Sequence, residues 1–181
     1  MRQIEDVVQL IKTCEAAKDS VEAFSRGIDD FSARVKEQPA VVRPLVKRDF
    51  ESNTGMSVDE WKAFLDKVAV RYGTIYERAT RLADALDKED DDAAAAAAMS
   101  ALKTAAAPLM EGVDVAVEAM ETMETYLKGL PGKIGMVPDS FMKAEVREEL
   151  TKSVPAYIER AQALKTCLKK TKDQLNTLVA S

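Results

Sequence analysis

Side chains able to do chemistry are few and scattered in this sequence. It has no histidine, which removes the commonest general base near neutral pH. Histidine-centred triads, histidine phosphotransfer, histidine-ligated haem and the Glu-x-x-His di-iron sites of helical bundles go with it. Cys14 and Cys167 form no Cys-x-x-Cys pair. Glu118, Glu121 and Glu124 recur every third residue, but they flank an apolar stripe and are expected to face water. Acid–base work would need a carboxylate buried enough to shift its pKa. The acidic run Asp87 to Asp92 fails as a calcium loop, because Asp92 stands where glycine is needed and Ala98 where glutamate is needed. Gly129-x-x-Gly132-x-x-Gly135 follows a helical stretch instead of a strand, and Gly132-Lys133 lacks the serine or threonine of a phosphate loop. Lys169, Lys170 and Lys172 span one helical turn and read as solvated surface. The expectation is a protein with no catalytic, cofactor-binding or metal-binding residue, and not an enzyme.

What positions these side chains must be helical. Of 181 residues, 46% are apolar and 31% charged, with 27 alanines against 7 glycines and 6 prolines. Such a mixture favours helix and is poor in the residues of an all-β domain. A net charge of −5 argues against nucleic acid as a partner.

Two apolar columns at a spacing of seven, Val7–Cys14–Val21–Ile28–Val35 and Leu10–Ala17–Phe24–Phe31, predict one long amphipathic helix ending near Pro39. Residues 39–56 read as an irregular connection with room for an extra short helix in 40–52. Ser57 and Glu60 form a capping box, behind which Trp61, Leu65, Val68, Tyr72, Ile75, Ala79, Leu82 and Leu86 alternate by four and three. After the acidic turn, a third arm runs from the alanine tract to Leu127, with Pro108 expected to kink or split it. Residues 128–138 hold three glycines and two prolines and are expected to be non-helical. The last arm is expected from Asp139 or Ser140 to Leu178, kinked near Pro155. Four arms with one stripe each predict an all-α, antiparallel up-down four-helix bundle, with residues 1–181 forming a single domain.

Up-down topology brings 39–56 and 128–138 to one end and the acidic turn and both termini to the other. The first end, extended to Lys143, carries a net +3 and an apolar set including Val41, Val42, Leu45, Val46, Phe50, Leu130, Ile134, Met136 and Val137. The acidic turn, 84–92, carries a net −5, which Lys165, Lys169, Lys170 and Lys172 are expected to neutralise in part. The contact candidates at the apolar, basic end are Val42, Arg43, Val46, Lys47, Arg48, Leu130, Lys133, Ile134 and Met136. The other reading of these residues is a plain cap on the end of the core. Five of the eight methionines, Met110, Met120, Met123, Met136 and Met142, lie on or beside the second connection; at helical spacing they read as core. Cys14 and Cys167 are expected at similar height on neighbouring arms, as adjacent buried thiols or a disulfide.

The start, Met1-Arg2-Gln3-Ile4-Glu5-Asp6, lacks the charge of a signal peptide, and a cytoplasmic location is expected. The functional expectation is a non-catalytic interaction module docking a protein partner through one bundle end or groove. The alternative is a bundle that binds an anionic membrane surface through the 39–56 and 128–138 end. Homo-oligomer formation fits both.

Overall fold

A computed structural model describes residues 2–88 and 91–180. The two apolar columns of the first arm become the buried face of α1 (Arg2–Lys36). A short α2 (Arg43–Thr54) follows, carrying Pro44 in its first turn, where the missing N–H has no helical partner to lose. It ends on Gly55, whose φ of 82° lets its N–H reach the Glu51 carbonyl. The capping box starts α3 (Val58–Asp87): the Glu60 N–H donates to Ser57 Oγ at 3.2 Å. Asp91 starts α4 (Asp92–Gly135) by accepting from the Ala94 N–H at 2.9 Å. The fifth helix is α5 (Ala144–Ala180).

The four long helices close a square in which α1 and α4 each pack on α3 and α5. Contacts fix the directions. Ser20 meets Cys167 while Asp30 meets Tyr157, so α1 and α5 are antiparallel. On the opposite seam, Asp114 pairs with Lys172 and Glu124 with Lys165. Trp61, Leu65, Tyr72, Ile75 and Leu82 of α3 are fully enclosed with Leu10, Leu102, Met120, Leu164 and Leu168. Two polar links run through the core. Trp61 Nε1 donates to Thr54 Oγ1 at 3.0 Å, tying α2 to α3. Thr171 donates its hydroxyl hydrogen to the Cys167 carbonyl, so Tyr72 Oη is the donor in its 2.8 Å bond to Thr171 Oγ1.

The all-α bundle agrees with the sequence reading, and the short helix expected in 40–52 is α2, at Arg43–Thr54. Three details do not agree. The 128–138 stretch is helical as far as Gly135. Leu127, Leu130 and Ile134 lie on one buried stripe, and their burial outweighs the one hydrogen bond that Pro131 removes. α4 and α5 run on through Pro108 and Pro155, because apolar contacts continue on both sides. The last helix starts at Ala144 and not at Asp139 or Ser140. There the Phe141 and Met142 N–H groups turn back onto the Pro138 carbonyl, which buries Met142. Arg147 holds this turn through Asp139 at 2.9 Å and the Val137 carbonyl at 2.6 Å. Finally, Lys165, Lys169 and Lys172 do not neutralise the acidic turn; they pair with Glu124, Glu121 and Asp114 of α4.

Candidate functional site

The C-terminal end of α1, the whole of α2, the last three turns of α4 and the 137–143 turn converge at one end of the bundle. Between them lies an apolar cleft of about 410 Å³. Its floor is continuous with the core and includes Val35, Val42, Leu130, Ile134, Met142 and Leu150, all buried. Its lips are different. Val41 is 65% exposed, Leu45 60%, Met136 84% and Phe141 42%. Four large apolar side chains thus stand in water around an apolar hollow, an arrangement soluble proteins ordinarily avoid unless something covers it.

The expected contact residues separate into three groups. Val42, Leu130 and Ile134 form the floor, so they cap the core and also line the cleft. Val46, Lys133 and Met136 line the wall and lip. Arg43, Lys47 and Arg48 are exposed and lie outside the lining. Arg43 Nε donates to the Gln38 carbonyl at 2.6 Å, closing the end of α1. Lys133 Nζ is held between both oxygens of Asp49, at 2.9 and 3.0 Å, and lies 5.3 Å from the Tyr126 ring centroid. That link joins α2 to α4 across the cleft wall.

Sequence reasoning left out Tyr126 and Phe141 as site residues. Tyr126 stands four residues before Leu130 and eight before Ile134, a signal at helical spacing that the glycines and prolines of 128–138 obscured. Phe141 was assigned to a helix that begins three residues later. Of the five clustered methionines, Met120, Met123 and Met142 are core as expected, but Met136 is the most exposed lip of the cleft.

The carboxylate reading also changes. Glu124 does not face water: it is 8% exposed in the α4–α5 seam. Lys165 Nζ donates to Oε2 at 2.8 Å and Gln162 Nε2 to Oε1 at 2.7 Å. These bonds, led by Lys165, lower its pKa to about 2. A carboxylate held ionised and saturated with donors is a clasp between helices, not a general acid or base. Among the described residues, no group of three His, Cys, Asp or Glu side chains is placed to hold a metal ion.

Both cysteines are free thiols, Cys14 buried and Cys167 half-buried. Cys167 Sγ lies 3.8 Å from Ser20 Oγ, six residues along α1 from Cys14. Burial, helped by Cys167, pushes the Cys14 thiol up to about 12, and an un-ionised thiol is a poor nucleophile. Among the described helices, α4 alone is long and apolar enough, by length and composition, to cross a membrane; its alanine-rich start is largely exposed.

No protein-family model matches the chain, and comparison with curated proteins and with solved structures found no similar protein.

Proposed function

We propose that this protein is a non-catalytic interaction module whose end cleft docks an amphipathic helix of a protein partner. The observation that carries this reading is the ring of exposed Val41, Leu45, Met136 and Phe141 around an apolar hollow of about 410 Å³. Helix-in-groove docking inserts apolar side chains at i, i+3, i+4 and i+7 into such a trough. The partner helix carries acidic flanks, because the cleft end has a net charge of +3 and Lys47 and Arg48 stand exposed beside the lip. A cytosolic setting, in which Cys14 and Cys167 stay reduced, belongs to the same proposal.

The test is selection of amphipathic helices from a display library, with the doubly substituted Leu45→Asp, Met136→Asp protein as control. Both side chains are exposed, so the melting temperature of this variant is expected within a few degrees of wild type. Selected helices are expected to lose about a hundredfold in affinity for it, the effect of two apolar contacts removed. Helices that bind both proteins equally, or no binders at all, overturn the reading.

A second reading is favoured by the exposed cations on α2 beside Val41 and Leu45: attachment to an anionic membrane surface. Flotation with phosphatidylserine vesicles that weakens between about 0.05 and 0.5 M salt, and is absent with neutral vesicles, supports it. A second copy of this chain as occupant would instead show as a concentration-dependent mass in sedimentation.

A further inference from the structure

The Tyr126 hydroxyl is buried with no hydrogen-bond partner, in a residue that is 5% exposed and lines the cleft. Its ring cannot swing away. Phe50 packs edge-on against it at 5.5 Å between centroids, and the Lys133 ammonium lies over its face. Burial, with the Asp49 carboxylate in its surroundings, holds the phenol protonated. The O–H is therefore a donor lacking an acceptor. Asp49 is not its acceptor: its carboxylate accepts from Lys133 and Asn53, and the Tyr126 hydroxyl makes no bond to it. Buried polar groups in folded proteins are nearly always paired, so an orphan in the wall of an apolar cleft calls for an explanation.

We infer that the occupant of the cleft brings a neutral hydrogen-bond acceptor, the side-chain amide carbonyl of Asn or Gln within an otherwise apolar helix face, to the Tyr126 hydroxyl. This inference rests on the docking reading above. A carboxylate would serve less well: it would enter an apolar hollow beside the charge of Asp49. A site that must satisfy a polar group rejects a ligand lacking it more sharply than an apolar pocket rejects a missing methylene. Tyr126 thereby becomes a residue that sets partner specificity, while Leu45, Met136 and Phe141 supply sequence-tolerant contact.

The experiment uses displayed helices of about four turns, with the apolar-face positions varied among Leu, Asn, Gln and Asp. They are selected in parallel on the wild-type protein and on Tyr126→Phe. Wild type is expected to enrich one Asn or Gln at a fixed position of the apolar face. Those helices bind Tyr126→Phe about tenfold more weakly, the effect of one hydrogen bond, whereas an all-Leu helix binds the two proteins alike. The melting temperature of Tyr126→Phe is expected at or above wild type, because no bond is lost. Cleft-dependent binders that lack an amide and do not distinguish the two proteins overturn the inference and leave docking standing. Enrichment of Asp overturns it too, as does a clearly lower melting temperature for Tyr126→Phe, which would mean the hydroxyl is already paired. Absence of any cleft-dependent binder removes the docking reading and this inference together.

Discussion

Glu124 carries the sharpest residue-scale consequence. Its folded pKa is about 2, below the ordinary 4.5, so the stability it adds is fully present above pH 4.5 and is lost as pH falls towards 2. Glu124→Gln keeps the shape and removes the charge. At neutral pH the variant should be less stable by about 1–3 kcal/mol, since Lys165 keeps its burial and loses its counter-charge. In chemical denaturation at a series of pH values, the gap between wild type and variant should close as pH drops from 4.5 to 2. A gap that stays constant with pH would show that the ion pair is not its source. This residue was misread from sequence for an identifiable reason. The three-residue spacing of Glu118, Glu121 and Glu124 drifts around the helix: Glu121 reaches Lys169 of α5 from the exposed rim of the seam, and only Glu124 is buried within it. A stripe drawn from apolar residues alone does not show which charged neighbour a second helix will cover.

At the scale of the element, the 128–138 stretch shows how composition and context can disagree. Three glycines and two prolines mark a break when local propensity is the only guide. The stretch nonetheless folds as the last turns of α4, because Leu127, Leu130 and Ile134 fall on the buried face, and tertiary packing decides most helical stability. Gly129 and Gly132 face solvent, with nothing within 4 Å of an added Cβ. Gly129→Ala and Gly132→Ala should therefore each raise stability by up to about 1 kcal/mol. A loss of stability on thermal melting would contradict the helical assignment there. Gly55 is the opposite case. Its left-handed φ makes Gly55→Ala unfavourable by about 1 kcal/mol although there is open space around it. The short α2 was legible only as room for a helix, since just Phe50 and Thr54 of its twelve residues are buried. Its amides should exchange with solvent faster than those of the four long helices. Equal protection in a hydrogen-exchange experiment would show α2 to be an integral part of the bundle.

For the whole molecule, the heptad columns were enough to place four arms, their directions and the meeting of two connections at one end. Heptad spacing constrains both which face is buried and how neighbours cross. The cleft itself was not legible, because a hollow exists only once several elements stop short of one another. Phe141 and Met136 reach its lip from the linker between two arms, where no periodicity guides the eye. The seams of the square also differ in a way the columns do not reveal. The α4–α5 seam is clasped by Asp114–Lys172, Glu121–Lys169 and Glu124–Lys165. Asp30 joins Tyr157 and Arg34 reaches Glu149 across α1–α5, and Asp29 meets Lys62 across α1–α3.

Among the described residues, no ion pair crosses the remaining seam, between α3 and α4. Apolar side chains close most of it, with the Arg71 guanidinium of α3 lying over Gly112 of α4, and the apolar part of that seal depends on water. Against a lipid face or an apolar partner it is the first to lose its driving force. At the cleft end Asp49–Lys133 ties α4 to α2 and not to α3, so no ion pair among the described residues helps hold α3 against α4 there.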